Sequence, residues 1–256
     1  MQVYHDINVW RDFRRAQNPA VSFGFVPTMG NLHSGHCSLV QASKNDNHQT
    51  VVSLFVNPSQ FNNPEDFKQY PRTLDADLAI LEESGVDHCL VPDAKDIYND
   101  NRRYLIDETQ DSLLMEGEKR PGHFSGVLTV VMKLFNLVQP NRGYFGEKDY
   151  QQLQLIRDMT SAFFMNLDII ACPTVRLDSG LAFSSRNNRL TAAERIVADR
   201  FAEIFHQENC CDTIYRALEG QGIKVDYITE HQGRRFAAAY VGEIRLIDNY
   251  ALHDLA

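Results

Sequence analysis

The chain has 256 residues, 43% of them apolar and 23% charged, with a formal net charge of −9. That is enough chain for one large domain, or for a main domain with a smaller appendage. The acidic balance argues against a partner that presents many phosphates, such as duplex nucleic acid, yet leaves room for one small anionic ligand held by local cations and helix ends. The five cysteines (Cys37, Cys89, Cys172, Cys210, Cys211) form no C-x-x-C pair, so free thiols in a reducing compartment are expected and a zinc cluster is not. Met1 to Trp10 lacks the apolar stretch of a signal peptide, and the densest apolar run, Val51 to Val56, is too short to span a bilayer. A cytoplasmic protein without membrane attachment is therefore expected.

In chain order, Val21–Val26 predicts a buried strand, and Gly35–Ser43 a helix after a turn at Gly30. Val51–Val56 predicts a second strand, Leu74–Ser84 a helix stopped by Gly85, and His88–Val91 a third strand. Ser125–Val138 is the clearest helix, with Val127, Val130, Val131, Leu134, Leu137 and Val138 on one stripe. Arg142–Phe145 and Leu167–Cys172 predict further strands around a helix from Tyr150 to Phe164. Continuous apolar strands alternating with helices indicate a parallel sheet covered on both faces, an α/β fold. After Val175 the texture changes: Thr191 opens a long helix, and short strand-like runs follow at Val225–Ile228, Phe236–Val241 and Ile244–Ile247. We expect two domains, 1–175 and 176–256, with Arg176–Gly180 as a turn or hinge between them.

Five segments carry polar chemistry. Pro27 to His36 lies between a strand and a helix, the edge at which open α/β sheets bind ligands. His33 and His36 share a face of the first helical turn, and with helix-start N–H groups they make a phosphate site; Gly35 permits close approach. No G-x-x-x-x-G-K-[ST] and no G-x-G-x-x-G is present. Gly122–Gly126 is not a G-x-S-x-G elbow, because the serine falls one place late. The second segment, Phe145 to Gln152, offers Lys148 as a mobile cation and Asp149 as a ribose contact or helix cap; alone it reads more often as a capped turn than as a site. Phe183 to Arg189, a loop of hydroxyls and cations, suits a triphosphate or is an exposed polar loop. Asn57 to Phe61 contains Gln60, suited to a substrate with hydroxyls and a carboxylate. In Glu118 to Phe124, Arg120 and His123 either face a cleft or cap the helix after Pro121-Gly122.

Taken together and in order, these segments resemble the pantothenate synthetase (pantoate–β-alanine ligase) family. The resemblance runs through Val26-Pro27-Thr28-Met29-Gly30 to His36, then Phe55 to Phe61, Tyr70 to Thr73 and Arg120 to Val127. It continues through Lys133 to Pro140, Gly146 to Gln152 and Ser184-Ser185-Arg186, so that it covers about residues 20–190. H-x-G-H alone marks a wide nucleotidyltransferase superfamily; the combination is far narrower. It implies a Rossmann-like N-terminal domain with a smaller α+β C-terminal lid domain, and usually a homodimer. The implied reaction joins pantoate to β-alanine with ATP, through a pantoyl adenylate, releasing pyrophosphate and AMP, with Mg²⁺ bound largely through the phosphates. By the same resemblance His36 is the catalytic proton donor, with His33 and Lys148 beside it. The ATP site corresponds to Met29, Gly30, Asn31, Leu32, His33, Ser34, Gly35, His36, Gly146, Glu147, Lys148, Asp149, Val175, Phe183, Ser184, Ser185 and Arg186. Gln60 and Gln152 correspond to the substrate-binding glutamines. The metal's protein ligands stay unassigned, Asp77 being one candidate. Phe183 replaces a usual leucine, Cys37 a larger apolar residue, and the C-terminal portion is shorter than the family's usual length. Two other classes share some of these features: a nucleotidyltransferase making a dinucleotide-like product, which needs neither Gln60 nor Gln152, and a nucleotide-binding regulatory module without turnover.

Overall fold

A computed structural model describes residues 1–252. The chain forms two compact units, one of residues 1–147 with 151–172, the other of residues 148–150 with the chain from 173 onward. No helix among the described residues is long and apolar enough to cross a membrane.

The first unit contains β1 (Gln2–Tyr4), α1 (Ile7–Arg15), β2 (Phe23–Thr28), α2 (Ser34–Asp46), β3 (Gln49–Leu54), α3 (Pro64–Gln69), α4 (Leu74–Glu83) and β4 (His88–Leu90). It continues with α5 (Ala94–Ile97), α6 (Glu116–Lys119), α7 (His123–Val138), β5 (Arg142–Gly146), α8 (Tyr150–Ala162, whose first residue groups with the other unit) and β6 (Asp168–Cys172). The six strands make one parallel sheet in the order β1-β4-β3-β2-β5-β6. Strands β2 and β3 are buried almost throughout, as a sheet covered on both faces requires. The order runs outward from β2 through β3 and β4 on one side and through β5 and β6 on the other, with β1 at the edge beyond β4, so the switch point lies between β2 and β5. Their ladder is only two pairs long, Gly24 with Arg142 and Phe25 with Gly143. The carboxyl-terminal halves beyond it are unpaired with each other, and Pro27, which has no N–H, sits in that stretch. A crevice outside those strand ends is where this architecture binds ligands.

Helix α7 is apolar on most sides and correspondingly buried on most sides. Helix α1 packs on it through Trp10, which is fully buried and donates its indole N–H to the Leu137 carbonyl at 2.9 Å. Arg14 reaches the carbonyls of Val138 and Gln139 at 3.1 and 2.9 Å, a cation at a helix C-terminus. The predicted elements of this unit are present with boundaries shifted by a few residues. The first fifteen residues, for which the sequence suggested no element, supply an edge strand and this helix.

The second unit holds α9 (Ala192–Phe205), α10 (Cys211–Gly220) and an antiparallel sheet of β7 (Lys224–His231), β8 (Arg234–Val241) and β9 (Ile244–Ala251). Thr191 and Glu194 close a capping box on α9. The hairpin between β7 and β8 turns on Gln232-Gly233, both at positive φ, as a two-residue turn of that kind needs. Phe201, Phe205, Leu218, Ala237, Ala239 and Leu246 form the buried centre of this unit. Arg176–Gly180 is a tight hairpin: Arg176 bridges to Ala182, and the Leu177 N–H donates to the Leu181 carbonyl at 2.8 Å.

Candidate active site

The loop from β2 to α2 is shaped by its backbone. Gly30 and Asn31 adopt positive φ (78° and 51°), conformations glycine and asparagine tolerate. That turn aims the N–H groups of Asn31 and Leu32 at one buried carboxylate, Asp77 of α4, at 2.9 and 2.8 Å. Thr73 adds its hydroxyl at 3.0 Å. A Cβ on Gly30 would stand 2.8 Å from the same carboxylate. Asp77, a candidate metal contact by sequence, is therefore the anchor of this loop. Leu32 follows into the core beside Leu39 and Val40, which fixes the loop at its far end.

His33 is the N-cap of α2. Its Nδ1 accepts the Gly35 N–H at 3.1 Å, and the His36 Nδ1 accepts the His33 N–H at 3.3 Å. An imidazole that accepts at Nδ1 carries its proton at Nε2 when neutral. The two rings lie 4.1 Å apart, centroid to centroid. Both histidines are thus held by the helix start itself as Nε2–H donors, half-buried, at the positive end of a 13-residue helix with no acid in its first turn. Gly35 and exposed Ser34 belong to that same turn.

Gln60 lies in a short 3-10 turn, Pro58–Gln60. Its Nε2 meets the Met29 Sδ at 3.2 Å, so the structure brings Met29 and Gln60 together. Its Oε1 accepts from Asn57 at 2.9 Å. Buried Asn57 also donates to the Gly126 carbonyl at 3.2 Å and accepts from the Tyr98 hydroxyl at 2.6 Å. Burial is the main influence on Tyr98 and raises its pKa. The Gln60 carbonyl accepts from His123 Nδ1 at 2.8 Å and from Arg120 at 3.4 Å, while Arg120 also meets His123 Nε2 at 3.1 Å. Arg120 and His123, left open by sequence between cleft and cap, clamp the backbone of Gln60. Gly126 explains the fit: a Cβ there would lie 2.7 Å from the Ser59 carbonyl carbon and 2.9 Å from the Gln60 nitrogen.

Gly146 ends β5, Glu147 opens a 3-10 turn over Glu147–Asp149, and Gln152 follows on the first turn of α8, half-buried. Its neighbour Gln151 is buried and holds the 111–116 segment, donating to the carbonyls of Asp111 and Leu114 at 2.8 Å each and accepting from the Glu116 N–H at 3.1 Å. Of the two adjacent glutamines, one is therefore structural.

In the second unit, Lys148 Nζ lies 3.7 Å from Asp149, the lysine side chain 18% exposed and the aspartate 49%. Val175 and Phe183 are joined by a hydrogen bond from the Phe183 N–H to the Val175 carbonyl at 3.0 Å. The Ser184 hydroxyl accepts the Arg186 N–H at 3.2 Å and caps a 3-10 turn over Ser185–Arg189. Buried Asn187 secures that turn through the Ala182 carbonyl at 3.0 Å. The structural roles of Asp77, Asn57, Tyr98, Gly126 and Gln151 were missed because each has a partner on a segment remote in sequence. The only local signal was Gly126, a glycine inside an otherwise unbroken helical pattern.

The family model for pantoate-beta-alanine ligase matches residues 2–251. The pantothenate synthetase of Legionella pneumophila (strain Philadelphia 1) is 60% identical over 252 residues, covering 98% of this chain and 100% of that protein. That of Coxiella burnetii (strain Dugway 5J108-111) is 53% identical, covering 97% of this chain and 96% of its own length. Among solved structures, the pantoate-beta-alanine ligase of Francisella tularensis, complexed with beta-gamma ATP and beta-alanine, superposes with a TM-score of 0.95 at 42% identity, covering 99% of this chain and 98% of that one. The pantothenate synthetase of Thermus thermophilus gives 0.89 at 37% identity, with 98% and 99% covered.

Proposed function

The chain belongs to the pantoate-beta-alanine ligase family, and from that premise we propose that it condenses pantoate with β-alanine through a pantoyl adenylate. In the first step a pantoate carboxylate oxygen attacks the α-phosphorus of ATP and the bond to pyrophosphate breaks. In the second the β-alanine amine attacks the acyl carbon, AMP leaves with the carboxylate oxygen, and the amine loses a proton as the amide forms.

The observation that carries this reading is the paired Nδ1 locking of His33 and His36 at the start of α2. Negative charge grows on the α-phosphoryl oxygens and on the departing pyrophosphate, and donors already fixed in place stabilise it without reorganising. His36 Nε2–H is the proton donor in this proposal, His33 Nε2–H its neighbour, and Lys148 the mobile cation on the phosphates. Met29 to His36, Gly146 to Asp149, Val175 and Phe183 to Arg186 hold ATP; Gln60 and Gln152 hold pantoate. Mg²⁺ enters as the ATP chelate. The Asp77 oxygens already accept hydrogen bonds from Asn31, Leu32 and Thr73, which fits a cation carried by the phosphates. The family resemblance gives residues 176–256 the part of a lid domain, which the chemistry calls for because a mixed anhydride hydrolyses unless water is kept out. The five free thiols support a reducing cytoplasm, and the net charge of −9 supports a protein without nucleic-acid partners. The family resemblance extends the proposal to a homodimer.

The test is pyrophosphate release from Mg-ATP with pantoate and β-alanine supplied singly and together. Sustained pyrophosphate, AMP and pantothenate only with both acids is the expected result. ATP binding without turnover, or a stable adenylylated product, contradicts it.

A further inference from the structure

The lysine proposed for the phosphates is gripped by the small antiparallel sheet. Asn249 of β9 donates its side-chain N–H to the Lys148 carbonyl at 2.8 Å. Two residues further, Arg234 of β8 stands 3.9 Å over the Tyr150 ring, and Phe236 lies 6.1 Å from it, centroid to centroid. Residues 148–150 accordingly group with this unit although their neighbours on both sides group with the other.

Asn249 is only 3% exposed, and its own position is strongly fixed. Its Oδ1 accepts from Arg234 at 2.6 Å, its N–H donates to Asp248 at 2.7 Å, and its carbonyl accepts from Arg176 at 3.2 Å. Across the ladder it pairs with Phe236. Asp248 is itself held by Arg176 at 2.7 and 2.9 Å and by His206 at 3.0 Å. A lysine side chain is a long, flexible stem, so where its ammonium dwells depends on the backbone that carries it. A hydrogen bond to the Lys148 carbonyl fixes the peptide plane between Lys148 and Asp149, and the Tyr150 grip fixes the chain just beyond.

We propose that Asn249, itself held by Arg234, is a positioning residue for Lys148, so that the end of β9 sets the aim of the ammonium on the phosphates. The proposal rests on the role given to Lys148 above. Asn249→Asp keeps the size of the side chain and the oxygen that Arg234 holds, and removes the donor to Lys148. It is compared with Lys148→Met and with the double variant in the full-length protein, by steady-state kinetics and thermal unfolding. Asn249→Asp is expected to lower kcat by about tenfold to a hundredfold, to leave the KM for pantoate unchanged, and to cause no further loss in the Lys148→Met background. Arg234→Gln, milder for the fold, is expected to show the same non-additivity and stands in if Asn249→Asp does not fold. Equal losses with and without Lys148, or full activity in Asn249→Asp, overturn the inference while leaving the lysine's role intact. Normal turnover by Lys148→Met overturns that role and the inference with it.

Discussion

At the scale of single residues, His33 and His36 each commit one ring nitrogen to structure, and the proposed function gives the other to chemistry. Nδ1 of each closes the first turn of α2, and Nε2 is the atom proposed to meet the phosphates. This division is testable, because an asparagine places an acceptor near the Nδ1 position and nothing near Nε2. His36→Ala is expected to lose about 1 kcal/mol of stability, the worth of a cap, together with nearly all turnover. His36→Asn is expected to recover most of that stability and none of the turnover, as read by urea denaturation and pyrophosphate release. Substantial activity in either variant would contradict the role. Both histidines were legible on a helix start, because spacing within one turn is a local property. The hold of Asp77 on the loop, from more than forty positions away, was not, since nothing local distinguishes an anchoring aspartate from a metal ligand or a solvated one.

At the scale of elements, α7 and the 57–60 segment meet backbone to backbone at Gly126. Adding one methyl there drives it against Ser59 and Gln60, and overpacking of this kind costs about 1–3 kcal/mol. Gly126→Ala is expected to raise the KM for pantoate more than that for ATP, because Gln60 moves while the loop before α2 does not. An equal change in both, measured by initial rates, would argue against Gln60 as a pantoate contact. Continuous apolar strands and the α7 stripe were legible because each is a repeating pattern longer than a turn. The edge strand β1 and helix α1 were not: three residues carry no period, and Trp10 is explained by distant partners, the Leu137 carbonyl it reaches and the His88 ring it packs on. The tight hairpin at Arg176–Gly180 was visible as a turn, while the pairing of Arg176 with Asp248 was not.

At the scale of the whole molecule, the parallel sheet of the first unit has a switch point, and Lys148 and the Ser184–Arg186 turn belong to the second unit. The second unit depends on an ion cluster at Asp248. Burial alone would raise the pKa of this carboxyl, but hydrogen bonds from His206 and Arg176 outweigh it and leave the group below its ordinary value. A carboxylate with a depressed folded pKa contributes stability above its unfolded value, about 3.9, and loses that contribution as pH falls toward the folded value. Asp248→Asn leaves Arg176 and His206 without their charge partner and is expected to cost about 3–5 kcal/mol at pH 7. The gap from wild type should narrow as urea denaturation is repeated from about pH 5 toward about pH 3; a gap independent of pH would contradict the assignment. The central claim, an acyl adenylate, is tested most directly by isotope transfer. With pantoate labelled by ¹⁸O in its carboxylate, the account predicts one labelled oxygen in the phosphate of the AMP released on complete turnover with β-alanine. Unlabelled AMP would contradict attack by the carboxylate on the α-phosphorus.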